Sequence, residues 1–329
     1  MRPDTAAPVE QHRLPPDDTL LDRLTLALGG DGGGVALEIV DRRRVGHYAT
    51  FPNEVVTIAL EGKLRRVFCK YEDRRAHPVF GHRSGLAYEA AVYREVLAPM
   101  RTRTVGYLGD HVDHGSGDTW LFLDYVDGAV PYAWRPRARN LTAAVRWLAR
   151  FHADAERLLG ERELSFLTRY DRAYFIGWAE RTLEFTAPLR RAHPWLDDVC
   201  AGFGELVDVL LDAPMAVVHG EYYTKNVLLK NGTVFPIDWE SAAVGPGEID
   251  LATAGDGRWN PDVVDKGDTE YARARWPDGP PHDFSHRLAV ARLYTQLRWL
   301  GDRPEWTLGP KVRWRFRYAE RAARDLGLL

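Results

Sequence analysis

The run Val217-Val218-His219-Gly220-Glu221-Tyr222-Tyr223-Thr224-Lys225-Asn226 presents a carboxylate and, five residues on, a carboxamide, and Asp238 adds a second carboxylate twelve residues later. Between Asn226 and Asp238 stands Asn231-Gly232, the strongest two-residue hairpin signal. Residues 226–230 and 233–238 are therefore expected to pair as antiparallel strands, with the start of the first beside the end of the second. An asparagine and an aspartate offering oxygens at one place suit a hard divalent cation such as Mg2+, which is held by few protein ligands plus nucleotide phosphates. Glu221, just upstream, has the chemistry to orient an attacking hydroxyl and accept its proton. His219 reads as a scaffold residue for the loop around Gly220 rather than as a base.

Other elements must hold these groups. Upstream, Val55–Leu60 and Leu64–Lys70 are rich in β-branched and aromatic residues and flank Glu61-Gly62-Lys63, which predicts a hairpin. A helix is expected from Asp17 or Asp18 to Leu28, closed by Gly29 and Gly30, and the glycine run that follows reads as a turn rather than a phosphate-binding loop. A second helix fits Ser84 to about Leu97, with Leu86, Ala90, Tyr93 and Leu97 on one stripe, and Thr119–Val126 reads as a buried strand. Thereafter the pattern is mostly helical: from a cap at Asn140 to Gly160, then Tyr170–Phe185, Leu196–Leu211, Phe284–Leu300 and Pro310–Leu326. The expectation is an α+β chain with a strand-rich first part and a helical remainder.

The order His219-Gly220-Glu221-Tyr222-Tyr223-Thr224-Lys225-Asn226, the hairpin, and Ile237-Asp238-Trp239-Glu240 resembles the kinase catalytic loop and its metal-binding aspartate. It is more similar to the aminoglycoside phosphotransferase and choline kinase-like branch, whose loop reads H-G-D-x-x-x-x-N and whose metal strand reads I-D-W-E or I-D-x-x. Asp250-Leu251-Ala252 matches that branch's D-L-A segment, and Leu148-Ala149-Arg150-Phe151-His152 resembles its L-A-x-L-H helix. The resemblance spans residues 35 to 325.

What the resemblance implies is a bilobal protein-kinase-like fold. An N-terminal arm covers residues 1–17, a nucleotide-binding lobe 18–127 with its hinge near 124–128, and a C-terminal catalytic and acceptor-binding lobe 128–329. Lys70 at a strand end would hold nucleotide phosphates, with Glu89 rather than Glu95 positioning it. The turn from Gly46 to Asn53 would lie over the phosphates, and Asp124, Tyr125 and Val126 would offer backbone groups to adenine. Asn226 and Asp238 would bind Mg2+, Glu221 would assist catalysis, and His219 and Asp250 would brace the loop. Tyr222, Tyr223, Trp239, Glu240, Asp256 and Trp259 are candidates for an acceptor pocket. The implied reaction passes the γ-phosphoryl group of ATP, or of GTP, to a hydroxyl of a small molecule, as in antibiotic resistance or natural-product modification. Aminoglycosides, macrolides, choline and sugars all stay open as acceptors.

One departure stands out: the family's catalytic aspartate is Glu221, longer by one methylene. The alternative it leaves open is a nucleotide-binding pseudokinase or small-molecule binding protein. A protein kinase fits less well, because no D-F-G or A-P-E segment follows the hairpin.

Composition narrows the classes further. Lys plus Arg is 44 against 47 Asp plus Glu, a formal net charge of -3, so no positive field awaits nucleic acid. No apolar run approaches the ~20 residues of a membrane span, and the first residues carry no apolar signal core, so a cytoplasmic setting is expected. The two cysteines, Cys69 and Cys200, exclude a disulfide scaffold and read as buried thiols. The 11 tryptophans exceed what is usual and read mainly as core.

Overall fold

The computed structural model describes residues 14–29, 36–45, 51–72, 82–113, 115, 117–134, 136–257 and 259–329. The expected arm up to residue 13, the glycine run 30–34 and the turn residues 46–50 lie outside them. The chain divides into two compact units, one made of Met1–Ala76, Gly85–Arg94 and Val105–Asp127, the other of His77–Ser84, Glu95–Thr104 and Gly128–Leu329. The expected contiguous lobe 18–127 is therefore corrected. Residues 82–84 and 95–104 belong with the larger unit because their partners lie there: His82 meets Tyr174, Arg83 meets Glu221, and the Trp147 indole donates to Arg103 O at 2.8 Å.

The smaller unit is an antiparallel five-stranded sheet. Its strands are β1 (Leu37–Arg44), β2 (Asn53–Leu60), β3 (Lys63–Glu72), β4 (Tyr107–Val112) and β5 (Thr119–Asp124), in the order β1-β2-β3-β5-β4. Helices α1 (Asp17–Gly29) and α2 (Leu86–Val92) complete it. Leu60 pairs with Lys63, so the β2–β3 turn is the two residues Glu61 and Gly62, whose φ values of 49° and 77° are those of a type I′ hairpin. Leu20 and Leu24 of α1 pack with Val56, Ile58, Val67, Cys69, Tyr71 and Phe122 of the sheet, the apolar positions that strand alternation sends to one face. The helix expected over 84–97 is α only as far as Val92 and continues as a π-helical turn, Tyr93–Leu97. Strand β4 was not expected, since Gly109 and Asp110 interrupt its apolar pattern.

The larger unit is mostly helical: α3 (Ala138–Glu161), α4 (Arg172–Thr186), α5 (Leu196–Leu211), α6 (Glu248–Ala254), α7 (Pro261–Arg275), α8 (Phe284–Leu300), α9 (Pro304–Thr307) and α10 (Arg313–Asp325). Two small sheets carry its loops. One holds β6 (Val130–Pro131), β9 (Val227–Lys230) and β10 (Thr233–Pro236), the other β7 (Thr168–Arg169), β8 (Met215–Val218) and β11 (Ala243–Pro246). Helix α3 starts at Ala138, with Arg137 in the cap position, so Asn140 sits inside its first turn rather than capping it. The long helix α7 escaped the sequence reading because its outward residues are charged and few apolar positions mark its inner face. Asn260 caps it by accepting from Asp262 N–H at 2.9 Å. Among the described residues, no helix is long and apolar enough to cross a membrane.

Candidate active site

In the smaller unit, Lys70 of β3 stands opposite Asn53 of β2 and Leu121 of β5. Its ammonium donates to both carboxylate oxygens of Glu89 on α2, at 3.0 and 2.8 Å, and both side chains are buried. Glu95 instead pairs with Arg162 at the surface, 2.8 Å away. The Asn53 amide nitrogen donates to Phe51 O at 3.0 Å, and its buried Oδ1 accepts from no described group. At residues 124–126 two backbone donors are already used, Asp124 N–H by Gly106 O at 2.8 Å and Tyr125 N–H by Arg66 O at 3.2 Å. Of the backbone groups expected to face adenine, these two N–H donors are therefore already engaged.

In the larger unit, β8 delivers the loop 219–226 and the hairpin β9–β10 follows it. Asn231 and Gly232 have φ values of 50° and 81°, as the two-residue turn requires, and Pro236 pairs with Val227. Ile237 N–H donates to Asn226 O at 2.9 Å, which brings Asp238 beside Asn226. The Asn226 amide nitrogen donates to the Glu221 carbonyl at 3.1 Å. A carbonyl can only accept, so the amide's orientation is fixed and its Oδ1 turns to the other side. Asp238 adopts φ of 71°, a left-handed conformation that aspartate tolerates at a cost and that recurs at functional sites. Two oxygen donors of this kind fit a hard cation that takes most of its ligands from phosphate and water. Among the described residues, no cluster of three or more His, Cys, Asp or Glu forms a metal site of the kind built wholly from protein.

The loop is braced from below. Asp250 lies in the first turn of α6, capped by Gly247, so it is not an N-cap. Its carboxylate accepts instead from His219 N–H at 2.6 Å and Gly220 N–H at 2.9 Å, and lies 3.2 Å from His152 Nε2. Gly220 has φ of 77°, and a side chain there would press into the Ser241 carbonyl and the Tyr170 hydroxyl, so only glycine fits. His219 donates from Nε2 to Ile237 O at 3.0 Å and accepts from Glu221 N–H at Nδ1, 3.3 Å away. Burial lowers its pKa, so the imidazole is neutral and ties the loop to the hairpin.

Glu221 is buried, and its described side-chain contacts converge on Oε1. Arg83 donates to it from Nη2 at 2.6 Å and from Nε at 3.1 Å, Arg298 of α8 donates from Nη2 at 2.6 Å, and His82 Nε2 lies at 3.6 Å. Burial alone raises the carboxyl's pKa, but His82 and the two guanidinium charges override it and hold Glu221 well below the usual carboxylate range. The sequence reading missed Arg83, Arg298 and His82. The one available signal was an arginine set among the core positions Tyr294, Leu297 and Leu300 of α8.

The acceptor candidates divide. Tyr222 and Trp239 are wholly buried: the Tyr222 hydroxyl donates to Ala144 O at 3.0 Å and its ring stacks on Trp147, while Trp239 packs on Phe151 and His219. Their expected place in a pocket is corrected to the core. Glu240 is equally buried, 3.5 Å from Arg83, and Tyr223 accepts a hydrogen bond from Arg298. Asp256 and Trp259 line a described cavity of about 350 Å³, together with Gln296, Arg292, Arg317 and Tyr318.

A sheet bearing a buried Lys–Glu pair, and a helical unit bearing a carboxylate–carboxamide loop with an aspartate-ended hairpin, define the kinase-like class of α+β proteins. The chain belongs to the phosphotransferase enzyme family, whose model matches residues 71–284. Among solved structures it resembles the choline kinase LicA from Streptococcus pneumoniae, at 14% identity and TM-score 0.57, over 89% of this chain and 95% of that one. A microcompartment-associated aminopropanol kinase is also similar, at 14% identity and TM-score 0.58, over 95% of this chain and 99% of that one. So is a spectinomycin phosphotransferase bound to AMP, at 11% identity and TM-score 0.55, over 92% of this chain and 94% of that one. These likenesses show the fold. No curated protein matches the sequence.

Proposed function

We propose that this protein is a small-molecule kinase that passes the γ-phosphoryl group of ATP, or of GTP, to a hydroxyl acceptor in a cytoplasmic setting. The observation that carries the reading is the hairpin mouth, where the fixed Asn226 amide leaves Oδ1 available beside Asp238. In this reading Lys70, oriented by Glu89, binds nucleotide phosphates, with Asn53 and the backbone of residues 124–126 contributing to the nucleotide site. Asn226 and Asp238 hold Mg2+. Mg2+ bound there with the nucleotide would neutralise charge on the phosphoryl oxygens. Glu221 accepts a hydrogen bond from the acceptor hydroxyl and aligns it. The hydroxyl oxygen bonds to the γ-phosphorus as the bridging P–O bond breaks, the nucleoside diphosphate leaves, and the proton, once the oxygen has become acidic, passes to the Glu221 carboxylate and on to water. A carboxylate held far below its ordinary pKa is a weak base, so its contribution is orientation and electrostatics more than early proton removal. His219 and Asp250 keep the loop in place.

A second reading, a nucleotide-binding protein without turnover, is favoured by one observation: two guanidinium groups already occupy Glu221 Oε1. A thermal shift with MgATP followed by an ATP-consumption screen over aminoglycosides, macrolides, choline, amino alcohols and sugars separates the two. The kinase reading expects consumption with at least one acceptor. Nucleotide binding with no consumption on any of them supports the second reading.

A further inference from the structure

We infer that Arg298 and Arg83 are positioning residues for the transfer: they anchor Oε1 of Glu221 and leave Oε2 to meet the acceptor hydroxyl, which makes the length of glutamate a requirement of this site. The inference rests on the kinase reading above and deepens it.

The guanidiniums cannot follow a shorter side chain, because each is held from other directions. Arg298 donates through Nη1 to the Tyr223 hydroxyl, and its guanidinium lies against the rings of Trp299, Tyr223 and Trp178, with centroids 5.3, 5.7 and 5.9 Å away. Arg83 stands 3.5 Å from Glu240, and the next residue, Ser84, donates its N–H to Glu240 O at 2.9 Å. His82 is fixed too, its Nδ1 accepting from Tyr174 OH at 2.8 Å, and Tyr174 OH lies 2.8 Å from Tyr294 OH. Around Glu221 the charged and titratable groups are therefore Arg83, Arg298, Glu240, His82, His219 and these tyrosines.

Removing one methylene withdraws the carboxylate by about 1.5 Å, one C–C bond. Both 2.6 Å contacts, from Arg83 and Arg298, then break. No described contact takes Oε2, and an oxygen anchored on one side only presents the other in a fixed direction. A misplacement of about 1 Å at a reacting group can cost roughly 100-fold in rate.

The test measures kcat, acceptor KM and nucleotide Kd for the wild type, Glu221→Asp, Arg298→Met, Arg298→Lys and the double variant Glu221→Asp/Arg298→Met. Restoring the family's aspartate is expected to lower kcat by about 10- to 100-fold, with acceptor KM and nucleotide Kd within about threefold of wild type. Arg298→Met should lower kcat by a similar factor, and Arg298→Lys, which keeps the charge but not the fork, should recover part of it. In the Glu221→Asp background, Arg298→Met should cost almost nothing more, because it acts through the same contact. The inference is overturned if Glu221→Asp is as active as wild type, or if the two losses multiply. A wild type that turns over no hydroxyl acceptor overturns the kinase reading and this inference with it. Turnover with multiplying losses overturns the inference alone.

Discussion

Glu89 and Glu221 are both buried carboxylates paired with cations, one in each unit, yet the pairings differ in number and in chemistry. At Glu89 both oxygens meet a single ammonium, at 3.0 and 2.8 Å. At Glu221 a single oxygen meets two guanidiniums, each at 2.6 Å. A lysine ammonium is a compact point charge on a flexible stem and can exchange a carboxylate for a phosphate. The Arg298 guanidinium, pinned by three rings and the Tyr223 hydroxyl, cannot move in that way. The first pairing suits a ligand-binding group that must change partners, and the second suits a carboxylate that must hold still.

The largest expected effect of breaking either pairing is at Glu221→Gln. It leaves the buried Arg298 guanidinium and the partly buried Arg83 guanidinium without their counter-charge, and neither can shed a proton. Removing one partner of a buried ion pair costs about 3–5 kcal/mol, and the residual Arg83–Glu240 contact offsets only part of it. Urea unfolding should show a loss of that order with little change between pH 5 and 8, and a loss below about 1 kcal/mol would break the comparison.

Lys70→Met should cost a similar amount at pH 8 but less at lower pH. The variant takes the described ammonium away from the buried Glu89 carboxylate, which a proton can neutralise instead, so the penalty is fullest at high pH and shrinks as the pH falls. Equal penalties at pH 8 and pH 5 would contradict the proposed difference between the sites.

The smallest effect per group is a property of the wild type. Burial lowers the pKa of His82 from 6.5 to about 3 and also lowers that of His152, so both are neutral in the folded protein and gain protons only on unfolding. Stability should be level above pH 6.5 and decline below it, by up to about 1.4 kcal/mol per pH unit for each histidine. Urea titrations at pH 7, 6 and 5 check this, and a flat profile would refute the neutral assignment.

Local signals carried much of the fold. Asn231-Gly232 and Glu61-Gly62 announce tight hairpins through residues that tolerate positive φ, and the apolar spacing of Leu196–Leu211 and Phe284–Leu300 gives those helices to the residue. Helix α7 and strand β4 were hidden because their inward positions are few or interrupted by polar residues. In the larger unit Glu221, Asn226 and Asp238 were singled out by their spacing along the chain, and in the smaller unit Lys70 and Glu89 by their places at a strand end and early in a helix, where the structure pairs them. Arg298 lies 77 residues from Glu221 and Arg83 lies 138 from it, and only tertiary packing brings them to one oxygen. The same blindness misplaced Tyr222 and Trp239, since position in a motif does not reveal which way a ring packs.

Phosphoryl transfer itself is tested by incubating wild type and Asp238→Ala with MgATP and the hydroxyl-acceptor panel, and quantifying phosphorylated product by mass. Product is expected from wild type on at least one acceptor, with none above background from Asp238→Ala. Undiminished product from Asp238→Ala would contradict the assignment of the hairpin mouth as the metal–nucleotide site.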